Sequence, residues 1–144
     1  MRAIGIVLAG GNSKRMRELS NKRAIAAMPI AGSFRSVDFA LSNMSNSHIQ
    51  SVAVLTQYNS RSLNEHLSSS KWWDFGRKQG GMYVFTPTIT AEIGYWYRGT
   101  AAAIYQNLDF LKRCHEPYVI ITSGDAVYKM DYNKVLEYHI AKKA

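Results

Sequence analysis

Ala3-Ile4-Gly5-Ile6-Val7-Leu8 is an uninterrupted apolar run of strand length, and Gly10-Gly11 closes it. A strand without polar alternation is the pattern of a parallel strand buried on both faces, so this opening restricts the chain to layered α/β architectures. Glycines without a Cβ let the backbone turn sharply and approach a ligand, and their amide groups can point at phosphate oxygens. Lys14 and Arg15 follow, and Arg15 offers a planar, permanently charged fork to the same phosphates. The same residues also fit a tight turn after a core strand with two solvated cations, and a short glycine motif alone does not separate the two.

The rest of the chain repeats the alternation of strand and helix. Phe34, Val37, Leu41 and Met44 recur at three or four and predict a helix, on which Arg35 and Asp38 share a side and can pair. Residues 51–57, β-branched and largely apolar, predict a second strand. Ser60 to Leu67 reads as a short helix with Leu63 and Leu67 inward, and Met82 to Thr86 as a strand. Ala101, Ile104, Tyr105, Leu108 and Leu111 trace the inward stripe of a helix from Thr100 to Cys114, with Thr100 as its cap and Gly99-Thr100 as an anion-binding N-terminus. Tyr118 to Thr122 reads as another buried-type strand, running into Ser123-Gly124-Asp125. Asn133 to Lys142 predicts a closing helix carrying Val135, Leu136 and Tyr138. Four strands separated by helices or loops predict an α/β domain with a mainly parallel sheet. Asp125 then stands at the carboxyl end of a strand, where ligands of open α/β sheets bind and where a carboxylate can face a nucleotide and its magnesium.

At 144 residues the chain fits one domain. The β/α alternation is expected to continue past Ala144, as in the N-terminal part of a larger domain. No run is long enough to cross a bilayer and no signal-peptide pattern opens the chain, which reads as cytoplasmic with no membrane partner. Cys114 is the only cysteine, which excludes an internal disulfide and a cysteine-rich metal site. The formal charge of +8 invites a polynucleotide, but the 18 lysines and arginines are scattered with no dense tract. Small anions such as nucleotides and sugar phosphates match that spread, and no nucleic-acid partner is expected. Aromatics crowd the segment from Trp72 to Trp96, a candidate for a base-stacking wall, an interface or a satellite cluster under a long loop.

Taken in order, Leu8-Ala9-Gly10-Gly11, Arg15, the run from Phe34 to Asn43, Leu55-Thr56-Gln57-Tyr58, Trp96-Tyr97-Arg98-Gly99-Thr100, Gln106-Asn107 and Ser123-Gly124-Asp125 resemble the bacterial glucose-1-phosphate adenylyltransferases (ADP-glucose pyrophosphorylases) of glycogen synthesis. The resemblance implies a Rossmann-like nucleotidyltransferase domain, incomplete at its C-terminal end, with the remaining sugar-phosphate region and a β-helix domain absent from this sequence. It implies attack of the glucose 1-phosphate oxygen on the α-phosphorus of ATP, which needs positioning and charge neutralisation more than covalent help. Carried over, Leu8, Ala9, Gly10 and Gly11 would hold the nucleotide phosphates, Tyr97, Gly99 and Thr100 would line the nucleotide, Arg15 would stabilise the triphosphate, and Asp125 would ligate magnesium. Lys22 and Arg23 match a stretch associated with sugar-phosphate effectors. The bland alternatives are a solvated cation for Arg15, Lys22 and Arg23, a core aromatic for Tyr97 and a helix-capping acid for Asp125.

Three departures qualify the resemblance. Ser13 stands where the family has a glycine, Ile25 where it has a phosphate-facing lysine, and Ala126 where it has a histidine after the metal carboxylate. These losses make the chain similar to the non-catalytic, D-type subunit of a glycogen-biosynthesis hetero-oligomer. The expected function is a regulatory or structural subunit bound to a catalytic adenylyltransferase subunit, able to bind ATP or ADP-glucose and sugar-phosphate effectors, with Arg15 vestigial. The alternative is an active glucose-1-phosphate adenylyltransferase, and after it another sugar-nucleotide transferase.

Overall fold

The computed structural model describes residues 2–11, 14–69, 73–75, 80–87 and 97–144. The readings that fall on Ser13, Trp72 and Trp96 lie outside the described residues. The chain opens with β1 (Ala3–Leu8), makes 3-10 turns at Lys14–Ser20 and Ile25–Ala27, and pairs β2 (Pro29–Ile30) with β3 (Phe34–Arg35) as a short antiparallel hairpin. It continues through α1 (Ser36–Asn46), β4 (Ser51–Leu55), α2 (Arg61–Ser68) and β5 (Gly81–Phe85). Then follow α3 (Thr100–Gln106), α4 (Leu108–Arg113), β6 (Tyr118–Ser123) and α5 (Tyr132–Lys142).

The four long strands form one parallel sheet in the order β5-β4-β1-β6. From β1 the chain steps outward to β4 and β5, then returns to the opposite flank of β1 for β6. That reversal is the topological switch point of a Rossmann-like sheet, and its crevice opens at the carboxyl ends of β1 and β6.

Side chains alternate between the two faces of each strand. On one face Val7, Val52 and Val54 pack with Val37, Ala40, Leu41 and Met44 of α1 and with Leu63 and Leu67 of α2. On the other, Ile6, Ala53 and Leu55 pack with Tyr97 and Ala103, and half-buried Phe85, Ile104, Phe110 and Leu111 close over them. Phe85 and Phe110 meet edge to face, with ring centroids 5.0 Å apart.

Several local expectations are corrected. Phe34 is not on the inward face of a helix: it belongs to β3, is 59% exposed, and follows a turn with positive φ at Ala31 and Gly32. Arg35 and Asp38 do not pair through their side chains. The Asp38 carboxylate accepts the Arg35 backbone N–H at 2.9 Å and meets His66 Nε2 at 2.6 Å, while the Arg35 guanidinium donates to the Ser62 carbonyl and hydroxyl. Asp38 thereby caps α1 and ties it to α2. The helix from Thr100 to Cys114 is two helices. Asn107, with φ −109° and ψ 14°, interrupts it and turns its Nδ2 onto the Ala103 carbonyl and the Tyr97 hydroxyl. Tyr105, expected inward, is 71% exposed. Thr100 is the first helical residue and not its cap, a position that Gly99 takes without a side-chain hydrogen bond. β6 is not buried on both faces, since Val119 and Ile121 are exposed.

Candidate functional site

At the switch point the carboxyl ends of the strands enclose a cleft of about 690 Å³. Leu8, Ala9, Gly10 and Gly11 form its floor at the end of β1, and Ser123 and Asp125 border it at the end of β6. The Ala9 N–H donates to the Leu55 carbonyl at 2.8 Å and the Gly124 N–H donates to the Leu8 carbonyl at 2.9 Å, so the parallel ladder persists up to the turn. Two glycines of the cleft are favoured by close approach. A Cβ on Gly10 would stand 3.0 Å from Gln57 Cβ, and one on Gly124 would stand 3.2 Å from both Ala9 Cβ and Val7 Cγ1. Gly11 has no such neighbour, and a Cβ there would project into open space, which leaves its backbone accessible from the cleft.

Tyr97, Arg98, Gly99, Thr100 and Ala103 form the opposite wall. Tyr97 serves two ends at once: it is buried in the core under α3 and it lines the cleft. Burial pushes its phenol up, and the hydrogen bond from Asn107 Nδ2 at 3.1 Å offsets part of that. Gln57 is also buried, with Nε2 donating to the Tyr97 carbonyl at 3.4 Å, so the ends of β4 and of the Tyr97 segment are held together. Asp125 is exposed, and the Ser123 hydroxyl donates to its Oδ1.

Of the residues singled out from sequence, Leu8, Ala9, Gly10, Gly11, Tyr97, Gly99, Thr100 and Asp125 converge on this one cleft. Arg15, Lys22 and Arg23 do not line it; all three are exposed, Arg15 in the 3-10 turn that kinks at Arg17 and the other two on the bend before Ala24. Gln57, Tyr58, Arg98 and Ala26 line the cleft without having been proposed as site residues. The missed signal is positional. Gln57 and Tyr58 lie just past the carboxyl end of β4, the strand next to β1, where open sheets carry their ligands. Ile25 lines the cleft as well, half-buried, so the residue singled out as a departure does face this space. Among the described residues no group of three or more His, Cys, Asp or Glu side chains could hold a metal ion. No helix among them is long and apolar enough to cross a membrane.

Comparison with known proteins places this geometry. The chain is 47% identical over 141 residues to a glucose-1-phosphate adenylyltransferase of Clostridium perfringens, a match covering 98% of this chain and 36% of that protein. Its identity to the protein of the same name from Bacillus cytotoxicus is 46%, covering 98% of the chain and 38% of the relative. For the Thermosipho melanesiensis protein, again a glucose-1-phosphate adenylyltransferase, the identity is 43%, covering 98% and 34%. The chain thus spans little more than a third of the length of these relatives. The nucleotidyl transferase family matches residues 4–144. That match begins inside β1 and runs past the end of α5, taking in both strands that frame the cleft, and the chain belongs to the nucleotidyl transferase family.

Proposed function

We propose that this chain is the nucleotide-binding part of a glucose-1-phosphate adenylyltransferase subunit, which joins ATP and glucose 1-phosphate into ADP-glucose and pyrophosphate. The observation that carries the reading is the convergence of the Leu8–Gly11 turn, Tyr97, Gly99, Thr100 and Asp125 on one cleft at the switch point. The names of the relatives favour an active enzyme over a purely regulatory subunit. In this reading the exposed backbone of Gly11 meets the triphosphate, and the wall from Tyr97 to Thr100 flanks the nucleoside. Among the described residues Asp125 is a lone carboxylate beside a hydroxyl, a donor set too small for a resident metal. It fits a magnesium ion that arrives with nucleotide phosphates and keeps much of its water. Bound there, magnesium would supply charge neutralisation on the phosphate oxygens.

A second reading rests on Ile25. Its hydrocarbon lines the cleft where the resemblance implies a phosphate-facing lysine, and Ala126 follows the metal carboxylate where it implies an imidazole. A subunit so equipped binds nucleotide but turns it over poorly, and works by changing the rate or affinity of a catalytic partner subunit. One experiment decides between the two. The full-length protein alone is assayed for pyrophosphate release from ATP and glucose 1-phosphate, beside Ile25→Lys. Turnover of about 1 s⁻¹ or more in the parent supports the active enzyme. Negligible turnover in the parent, with a gain of about 10²–10³-fold in Ile25→Lys, supports the subunit with a depleted site. If neither protein turns over or binds ATP, the nucleotide reading itself is wrong.

A further inference from the structure

Two of the segments that line the cleft arise from distant parts of the chain, and one residue outside its lining joins them. Ile25 and Ala26 come from the 3-10 turn after β1, and Gln57 and Tyr58 come from the end of β4. Between them stands Asn59. Its Nδ2 donates to the carbonyls of Ser20 at 3.0 Å and Asn21 at 3.2 Å, and its own carbonyl accepts the Ala24 N–H at 3.3 Å. Its backbone is left-handed, with φ +46°, a conformation that asparagine tolerates better than most residues. Asn59 therefore makes three bonds to the five residues that lead into Ile25, one residue after Tyr58.

The far end of that turn is held separately. The Ser36 hydroxyl donates to the Ile25 carbonyl at 3.0 Å, and the Ser36 N–H donates to the Met28 carbonyl at 3.1 Å. Ser36 fixes the turn to the start of α1, and Asn59 alone among these contacts fixes it to the segment that follows β4.

We propose that Asn59 is a positioning residue of the cleft: by bridging the Ser20–Ala24 turn to the end of the Gln57–Tyr58 segment, it sets where Ile25 and Ala26 stand relative to Gln57 and Tyr58 and so the affinity for nucleotide. The ligand in this inference rests on the reading under Proposed function; the bridge itself does not. The test uses the full-length protein, Asn59→Gly, which keeps the left-handed backbone and deletes the carboxamide, and Asn59→Asp, which turns only acceptors toward two carbonyls. ATP is titrated by calorimetry well below the melting temperature, and amide hydrogen exchange is followed at Ala24, Ala27 and Met28. The expected result is ATP binding about tenfold weaker in both variants, the loss of two hydrogen bonds at roughly half their upper worth, together with faster exchange across the turn. A melting temperature that falls while ATP affinity stays within twofold of the parent would overturn the proposal and leave the nucleotide site standing. Should the parent bind no ATP, exchange alone decides: faster exchange in the variants keeps the bridge and discards the ligand, and unchanged exchange discards both.

Discussion

Ile6 and Ile121 are register partners on neighbouring strands, on the same face of the sheet, yet Ile6 is 2% exposed and Ile121 is 52% exposed. β1 has a strand on either side and lies beneath Tyr97 and Ala103, whereas among the described residues β6 pairs with β1 alone. The α3 and α4 layer reaches Ile6, Leu55 and Phe85 and stops short of the outer flank. Both strands carry a central apolar run, Ile4 to Leu8 in β1 and Val119 to Ile121 in β6, and neither isoleucine is marked by its immediate neighbours as the covered one. Apolar composition says that a segment suits a parallel sheet; its place in the strand order says how much water it meets.

The largest expected effect lies on the covered side. Ile6→Ala removes a packed side chain between Ala53, Leu55 and Tyr97, and is expected to cost about 2–5 kcal/mol in urea unfolding, because the surrounding strands close the cavity only in part. A cost under about 1 kcal/mol would mean that α3 and α4 cover β1 only loosely, and the contrast between the strands would fail.

The two faces of β6 differ in their turn. Its inner face carries Thr122, whose hydroxyl meets Tyr128 at 2.5 Å and Tyr132 at 3.3 Å, and the two phenols lie 2.8 Å apart. Burial pushes the Tyr132 phenol from 10.0 up to about 12, with the Thr122 hydrogen bond pulling it down and Tyr128 pushing it further up. The folded state therefore keeps this proton after the unfolded chain has lost it. The associated stability is intact below pH 10 and is lost as pH rises from about 10 to 12, at up to about 1.4 kcal/mol per pH unit. Tyr132→Phe is expected to flatten that slope while leaving the Thr122 to Tyr128 bond in place. An equally steep slope in the variant would show that the alkaline loss arises elsewhere.

Much of the architecture was legible because its signals are local. The apolar run of β1, the Leu63 and Leu67 spacing of α2 and the Gly10-Gly11 and Asp125 strand ends are each visible within a few residues. What escaped needed information from elsewhere in the chain. Phe34 continues the spacing of α1, and only its pairing with Ile30 shows that it is a strand residue. The apolar stripe runs unbroken past Asn107, whose carboxamide is held by the Ala103 carbonyl and by the hydroxyl of Tyr97 from outside the helix. Gln57 and Tyr58 become site residues once β4 is known to neighbour β1. Arg15 follows the glycine turn closely in sequence, but the 3-10 turn that bears it is not part of the cleft lining. Membership of the nucleotidyl transferase family was likewise readable, whereas the D-type subunit expected from Ile25 and Ala126 finds no support among the relatives, which carry the name of the enzyme.

The smallest expected effect tests the contrast most sharply, because it uses the same substitution one strand away. Ile121→Ala deletes the same atoms as Ile6→Ala, but half of that side chain is already in water. Little transfer energy is lost, no enclosed cavity forms, and what remains is the preference of a strand for a β-branched residue. The expected cost is about 1 kcal/mol or less in urea unfolding. Ile121→Thr keeps the branch and is expected to be nearer neutral, within about 0.5 kcal/mol. If in the full-length protein Ile121→Ala costs as much as Ile6→Ala, then the outer flank of β6 is covered in solution, and the difference between the two isoleucines belongs to this span of the chain and not to the protein.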